Sequence, residues 1–130
     1  MQDFRKLDVW ELAYMPNVSV YDLTRDHRLL ARHGLAQEMQ RAGTDIACNI
    51  ARGCGASGNQ GAQHWHFNNA LGAAASLEYL VFLAFELGLV PDFEHAWFTA
   101  LAVEIRKGLQ AMLEEKAQEK RAPAALTVVQ

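Results

Sequence analysis

The chain is short of most features that would commit it to a particular chemistry. Two cysteines in 130 residues, Cys48 and Cys54, cannot frame a disulfide scaffold, and their spacing of six is not the C-x-x-C of a redox or zinc pair. They are expected to be reduced thiols. With only three prolines and 51% hydrophobic residues, the composition excludes a disordered or low-complexity chain. Long apolar runs are missing too: Glu78 and Glu86 interrupt the most apolar stretch well short of the roughly 18 residues a membrane span needs. The opening MQDFRKLDVWELAYM carries Asp3, Arg5, Lys6, Asp8 and Glu11 and lacks the apolar core of a secretion signal, so a soluble, cytoplasmic protein without a membrane partner is expected. Basic charge is equally scarce. The net charge is −3, with seven basic and seven acidic groups in residues 1–60 and five and eight in residues 61–130, so no basic domain announces nucleic acid.

No segment alternates with the period of a strand; the period present is helical. Leu35, Met39, Ala42, Ile46 and Ile50 recur at three-and-four spacing, as do Phe67, Ala70, Ala74, Leu77, Val81 and Ala84. Both stripes run through segments crowded with small residues, Gln40 to Gly53 and Phe67 to Leu80, which let helices approach closely. Asp8 and Glu11 form a capping-box pattern for a first helix over Val9 to about Thr24, with Val9, Leu12, Val20 and Leu23 inward and a kink or restart at Pro16. The cationic segment Arg25–Gly34 reads as a linker or a short turn of helix. A second helix covers Leu35 to Arg52, and Gly53, Gly55, Gly58 and Gly61 then punctuate a flexible loop. The third helix runs from about Gln63 to Leu87. GLVPD ends it and makes Asp92 the N-cap of a fourth, whose stripe is Phe93, Trp97, Leu101, Ile105 and Leu109 and which Pro123 stops. Trp10, Ile46, Leu77 and Leu101 are expected in the core. A chain this long buries roughly two-thirds of its unfolded surface. It is read as one four-helix-bundle domain over residues 1–121 with a flexible tail over 122–130.

Candidate sites are few. The glycine-rich connection follows no strand and lacks the Lys-Ser/Thr ending of a phosphate loop. His64 and His66, two apart on a helix, point to different faces, a poor geometry for one metal. No Glu-x-x-His pair repeats as a di-iron bundle requires, and no Ser or Cys has a nucleophile's context. The expectation is therefore a protein with no catalytic, metal-binding or cofactor-binding residues. Arg25, Arg28 and Arg32, with His27 and His33 nearby and Arg41 and Arg52 on the second helix, are the candidates for phosphate contact; the alternative is a solvated helix connection. Repetition around a symmetry axis would multiply such a patch into a ring of positive charge.

Three motifs resemble the four-helix-bundle family encoded in intervening sequences of 23S rRNA genes and elsewhere in bacterial genomes. They are the opening, with Phe4, Leu7, Val9 and Trp10; the RAxxSIxxNIAEG pattern, met at Arg41, Ala42, Ile46, Asn49, Ile50, Ala51 and Gly53; and the third-helix pattern, met at Phe67, Ala70, Leu71, Gly72, Leu77 and Glu78. The resemblance implies an all-α, up-down-up-down four-helix bundle assembling as a ring-shaped homo-oligomer, a homopentamer. It also implies a distant likeness to the accessory variability protein of diversity-generating retroelements, a basic ring that binds nucleic acid. Thr44 stands where Ser is usual, and Arg52 and Ser76 each replace a Glu. Two functions follow: a non-enzymatic oligomeric scaffold or adaptor with a protein partner, or a nucleic-acid-associated ring contacting RNA or DNA phosphates.

Overall fold

The computed structural model describes residues 8–25 and 34–129, with side chains as far as residue 115. Those residues form four helices and no strand: α1 Asp8–Leu23, α2 Leu35–Gly55, α3 Gln60–Glu86 and α4 Asp92–Val129. Each helix packs on its neighbour in sequence, α2 and α3 most extensively, and α1 also packs on α4. The helices thus close a cycle in which α1 and α3 share no comparable contact.

The two small-residue stripes form the centre. All five α2 positions from Leu35 to Ile50 and all six α3 positions from Phe67 to Ala84 are buried. At Gly53 a Cβ would overlap the Phe67 ring, so only glycine lets α2 and α3 meet there. The Gly53 carbonyl accepts from Gln63 Nε2 at 3.0 Å, which pairs a buried amide with the last turn of α2. Glycine also seats α1. A Cβ at Gly43 would lie 3.4 Å from Asn17 Oδ1, and one at Gly108 would lie 3.1 Å from Val9 Cγ2.

Thr24 is 1% exposed and joins two helices: its hydroxyl donates to the Val20 carbonyl at 2.8 Å and accepts from Gln40 Nε2 at 2.8 Å. One turn further along α2, Thr44 Oγ1 donates to Asn17 Oδ1 at 3.2 Å and lies 3.4 Å from the Tyr21 hydroxyl.

The connections are tighter than the sequence predicts. Gly53 and Gly55 lie within α2 and Gly61 within α3, leaving only the turn 56–58 and Asn59 in place of a flexible loop. Asn59 caps α3 by accepting from the Ala62 amide at 3.1 Å, which starts the helix three residues before Gln63. Gly88, at φ +74°, closes α3 in a Schellman arrangement: its amide reaches the Phe85 carbonyl at 2.9 Å, and the Leu89 amide reaches that of Ala84 at 2.9 Å.

Other expectations need correction. Helix α1 passes through Pro16 without a restart, since a proline removes one donor yet leaves helical backbone possible, and Asp8 is its first residue. Asp92 is likewise the first residue of α4, not its cap; the Pro91 carbonyl accepts from the His95 amide at 3.1 Å. For the same reason as at Pro16, α4 does not stop at Pro123 but continues to Val129. The core stripe of α4 is Phe98, Ala102, Ile105 and Leu109. Ile105 and Leu109 are buried as expected, but Phe93 and Trp97 are exposed at 72% and 38% and Leu101 is half-buried, because a stripe spaced by four throughout drifts around the helix and its first half lies one residue off Phe98 and Ala102. Trp10 is half-buried too, stacked on Tyr14 with centroids 5.3 Å apart.

Candidate functional site

Of the five candidate cations, Arg28 and Arg32 lie outside the described residues, as do Phe4 and Leu7 of the family motif. Arg25, just past α1, bridges Asp22 at 3.3 Å, and Arg41 on α2 approaches Glu38 at 4.0 Å, all four side chains well exposed. Each positive charge is met by a carboxylate one turn away. Arg52 is exposed in the last turn of α2, where a cation faces the negative end of the helix dipole. Arg41 and Arg52 are eleven residues apart, close to three turns, and share a face.

The motif positions serve packing. Ile46 and Leu77 are buried; Asn49 is 7% exposed and donates from Nδ2 to the Asp45 carbonyl at 2.9 Å, a bond within its own helix. Gly53 admits Phe67. Glu78 ties α3 to α4 through Arg106 at 2.9 Å, both side chains partly exposed. Arg41 and Gly72 face outward, Gly72 with open space around it.

The described residues bring no three His, Cys, Asp or Glu side chains together in a way that could hold a metal ion. His64 is exposed and His66 half-buried. A cleft of about 490 Å3 separates the end of α1 from the start of α4, lined by Ser19, Asp22, Leu23, Phe93, Glu94 and Trp97 among others. Its polar side-chain groups are two carboxylates, one hydroxyl and the indole N–H of Trp97, and Glu94 Oε2 is buried without a hydrogen-bond partner.

What sequence reasoning missed is the outer surface. On α1, Tyr14, Met15, Val18 and Tyr21 are 43–49% exposed. On α3, Trp65, Tyr79 and Phe82 are 62%, 59% and 46% exposed. Neither α1 nor α3 contains a lysine or arginine, and from Trp65 to Phe82 the one carboxylate of α3 is Glu78, so its outward side lacks the charge that ordinarily marks a solvated face. That lack of charge is legible in the sequence itself.

Four helices in a closed cycle, joined through glycine contacts and carrying uncovered aromatic strips, define an all-α protein whose distinguishing residues are those of helix packing. The chain belongs to the 23S rRNA-intervening sequence protein family, whose model matches residues 5–111. A crystal structure of a Bacteroides thetaiotaomicron protein with unknown function from the S23 ribosomal protein family has the same fold, at 20% identity and a TM-score of 0.72, over 82% of this chain and 95% of that one. No curated protein matches. No helix among the described residues is long and apolar enough to cross a membrane.

Proposed function

We propose that this chain is the subunit of a non-enzymatic homo-oligomer, a scaffold or adaptor built from an up-down-up-down four-helix bundle. The observation that carries this reading is the pair of uncovered aromatic strips on α1 and α3, whose area would be costly to leave in water. The up-down topology is supported by Asn17 with Thr44 and Thr24 with Gln40 between α1 and α2, and by Glu78 with Arg106 and Phe85 with His95 between α3 and α4, in which residue numbers rise along one helix as they fall along the other. A homopentameric ring is the state the family resemblance implies. Light scattering or native mass spectrometry at micromolar concentration tests the oligomer, and a single species of 14.5 kDa would refute it.

The nucleic-acid reading is weaker, since Arg25 and Arg41 each face a carboxylate three residues earlier in the chain. If phosphates were the partner, affinity would fall with salt at a log-log slope of roughly 0.7–0.9 per contact. Changing Arg25, Arg28 and Arg32 together to Glu would then abolish it. A pull-down with and without nuclease, followed by this titration, separates the two readings, and unaltered binding by the triple variant would end the second.

A further inference from the structure

The outward side of α3 carries a seam. Trp65, Asn68, Gly72, Ala75, Tyr79 and Phe82 alternate three and four residues apart, the spacing at which one helix meets another along its length, and all six are exposed. At 1.5 Å per residue the seam is about 26 Å long. Its ends are bulky and its middle is small, and a Cβ added at Gly72 would meet nothing. Between residues 65 and 82 the one Asp, Glu, Lys or Arg is Glu78, which is turned to Arg106.

The chain carries a surface of matching character. From Tyr14 to Tyr21 on α1 no residue is charged, and Tyr14, Val18 and Tyr21 present large side chains where the α3 seam presents small ones. These two strips lie on helices that are opposite in the cycle. A surface that fits a different surface on the far side of the same molecule makes head-to-tail contacts, and such contacts close into rings when the rotation permits. Aromatic side chains bring roughly 150–250 Å2 each, so the exposed fractions leave on the order of 350 Å2 of large side chain on each strip. Pairing them approaches the ~1,000 Å2 expected of a specific interface once the small residues are included, and each subunit in a ring makes two such contacts.

We propose that the outward seam of α3, centred on Gly72 and Ala75, is the docking surface for the α1 strip Tyr14–Val18–Tyr21 of a second copy of this chain. The assignment rests on the homo-oligomer reading and names its contact.

The test uses sedimentation and circular dichroism on the full chain with Val18→Lys, Ala75→Glu and the double variant. Gly72→Arg serves as a second α3 variant and Gln110→Glu, on the exposed side of α4, as a control. Each single change should reduce the assembly to subunits with helicity unchanged, while the double variant, which sets Lys against Glu at every contact, should reassemble, and the control should remain assembled. An assembled wild type whose Ala75→Glu and Gly72→Arg variants also stay assembled would overturn the surface and leave the oligomer standing. Dissociation of Ala75→Glu and Gly72→Arg with Val18→Lys still assembled would overturn the α1–α3 pairing in favour of α3 against α3, and dissociation of both singles without recovery in the double would overturn the facing of Val18 and Ala75. A wild type found only as single subunits would overturn the oligomer and this contact together.

Discussion

Helices α2 and α3 share the largest contact in the molecule, yet their outer sides differ sharply. Opposite its buried stripe α2 exposes Gln37, Glu38, Arg41 and Arg52, the ordinary charged side of a solvated helix. Opposite its own stripe α3 exposes Trp65, Gly72, Ala75, Ser76, Tyr79 and Phe82. The inward stripes are alike because both must meet a helix. The outward sides differ because water covers one of them, and on this account protein covers the other. A helix whose outward side carries large apolar and small residues with almost no charge is read as having a neighbour on that side as well.

That contrast can be broken at its inner side first. Leu77→Ala removes a fully packed side chain where α3 meets the core and should destabilise the fold by about 2–5 kcal/mol; an unfolding midpoint close to wild type would show that the position is not a core position. Gly53→Ala should cost about 1–3 kcal/mol, because the added methyl enters the space of the Phe67 ring. Pairing it with Phe67→Leu should recover part of the loss, and equal losses in both backgrounds would argue against the clash. At the outer side the sign reverses. In the dissociated Val18→Lys background, Gly72→Ala should stabilise by about 0.5–1 kcal/mol, since alanine is the better helix former and its methyl meets open space. In the assembled protein the same methyl would meet a neighbouring subunit, so the gain should shrink or vanish. Equal gains in both backgrounds would mean that nothing covers Gly72.

The inner sides of α2 and α3 are legible in the sequence because three-and-four spacing of apolar residues is a strong signal when it runs over about four to five turns. The start of α4 was not. Phe93 and Trp97 are large and apolar and stand in register with Leu101, so they drew the stripe one residue off Phe98 and Ala102. Nothing local distinguishes an aromatic residue that faces the core from one that faces outward. The glycine cluster misled in the opposite direction, since Gly53 is demanded by the Phe67 ring across the helix pair, a contact that no reading of the loop alone contains. Proline carried less weight than expected at Pro16, where the packing of α1 on α2 and α4 holds the helix together. Of the candidate site, the arginines were legible as cations. The carboxylate partners of Arg25 and Arg41, each three residues earlier in the chain, are evident from the geometry.

The central claim, that a second copy of the chain covers the outer side of α3, is tested most directly by the mass of the native protein measured beside Ala75→Glu. The account predicts a wild-type assembly of several 14.5 kDa subunits, five in the proposed ring, and a variant of one subunit with the same helicity. Two identical masses, whether both assembled or both single, would contradict it.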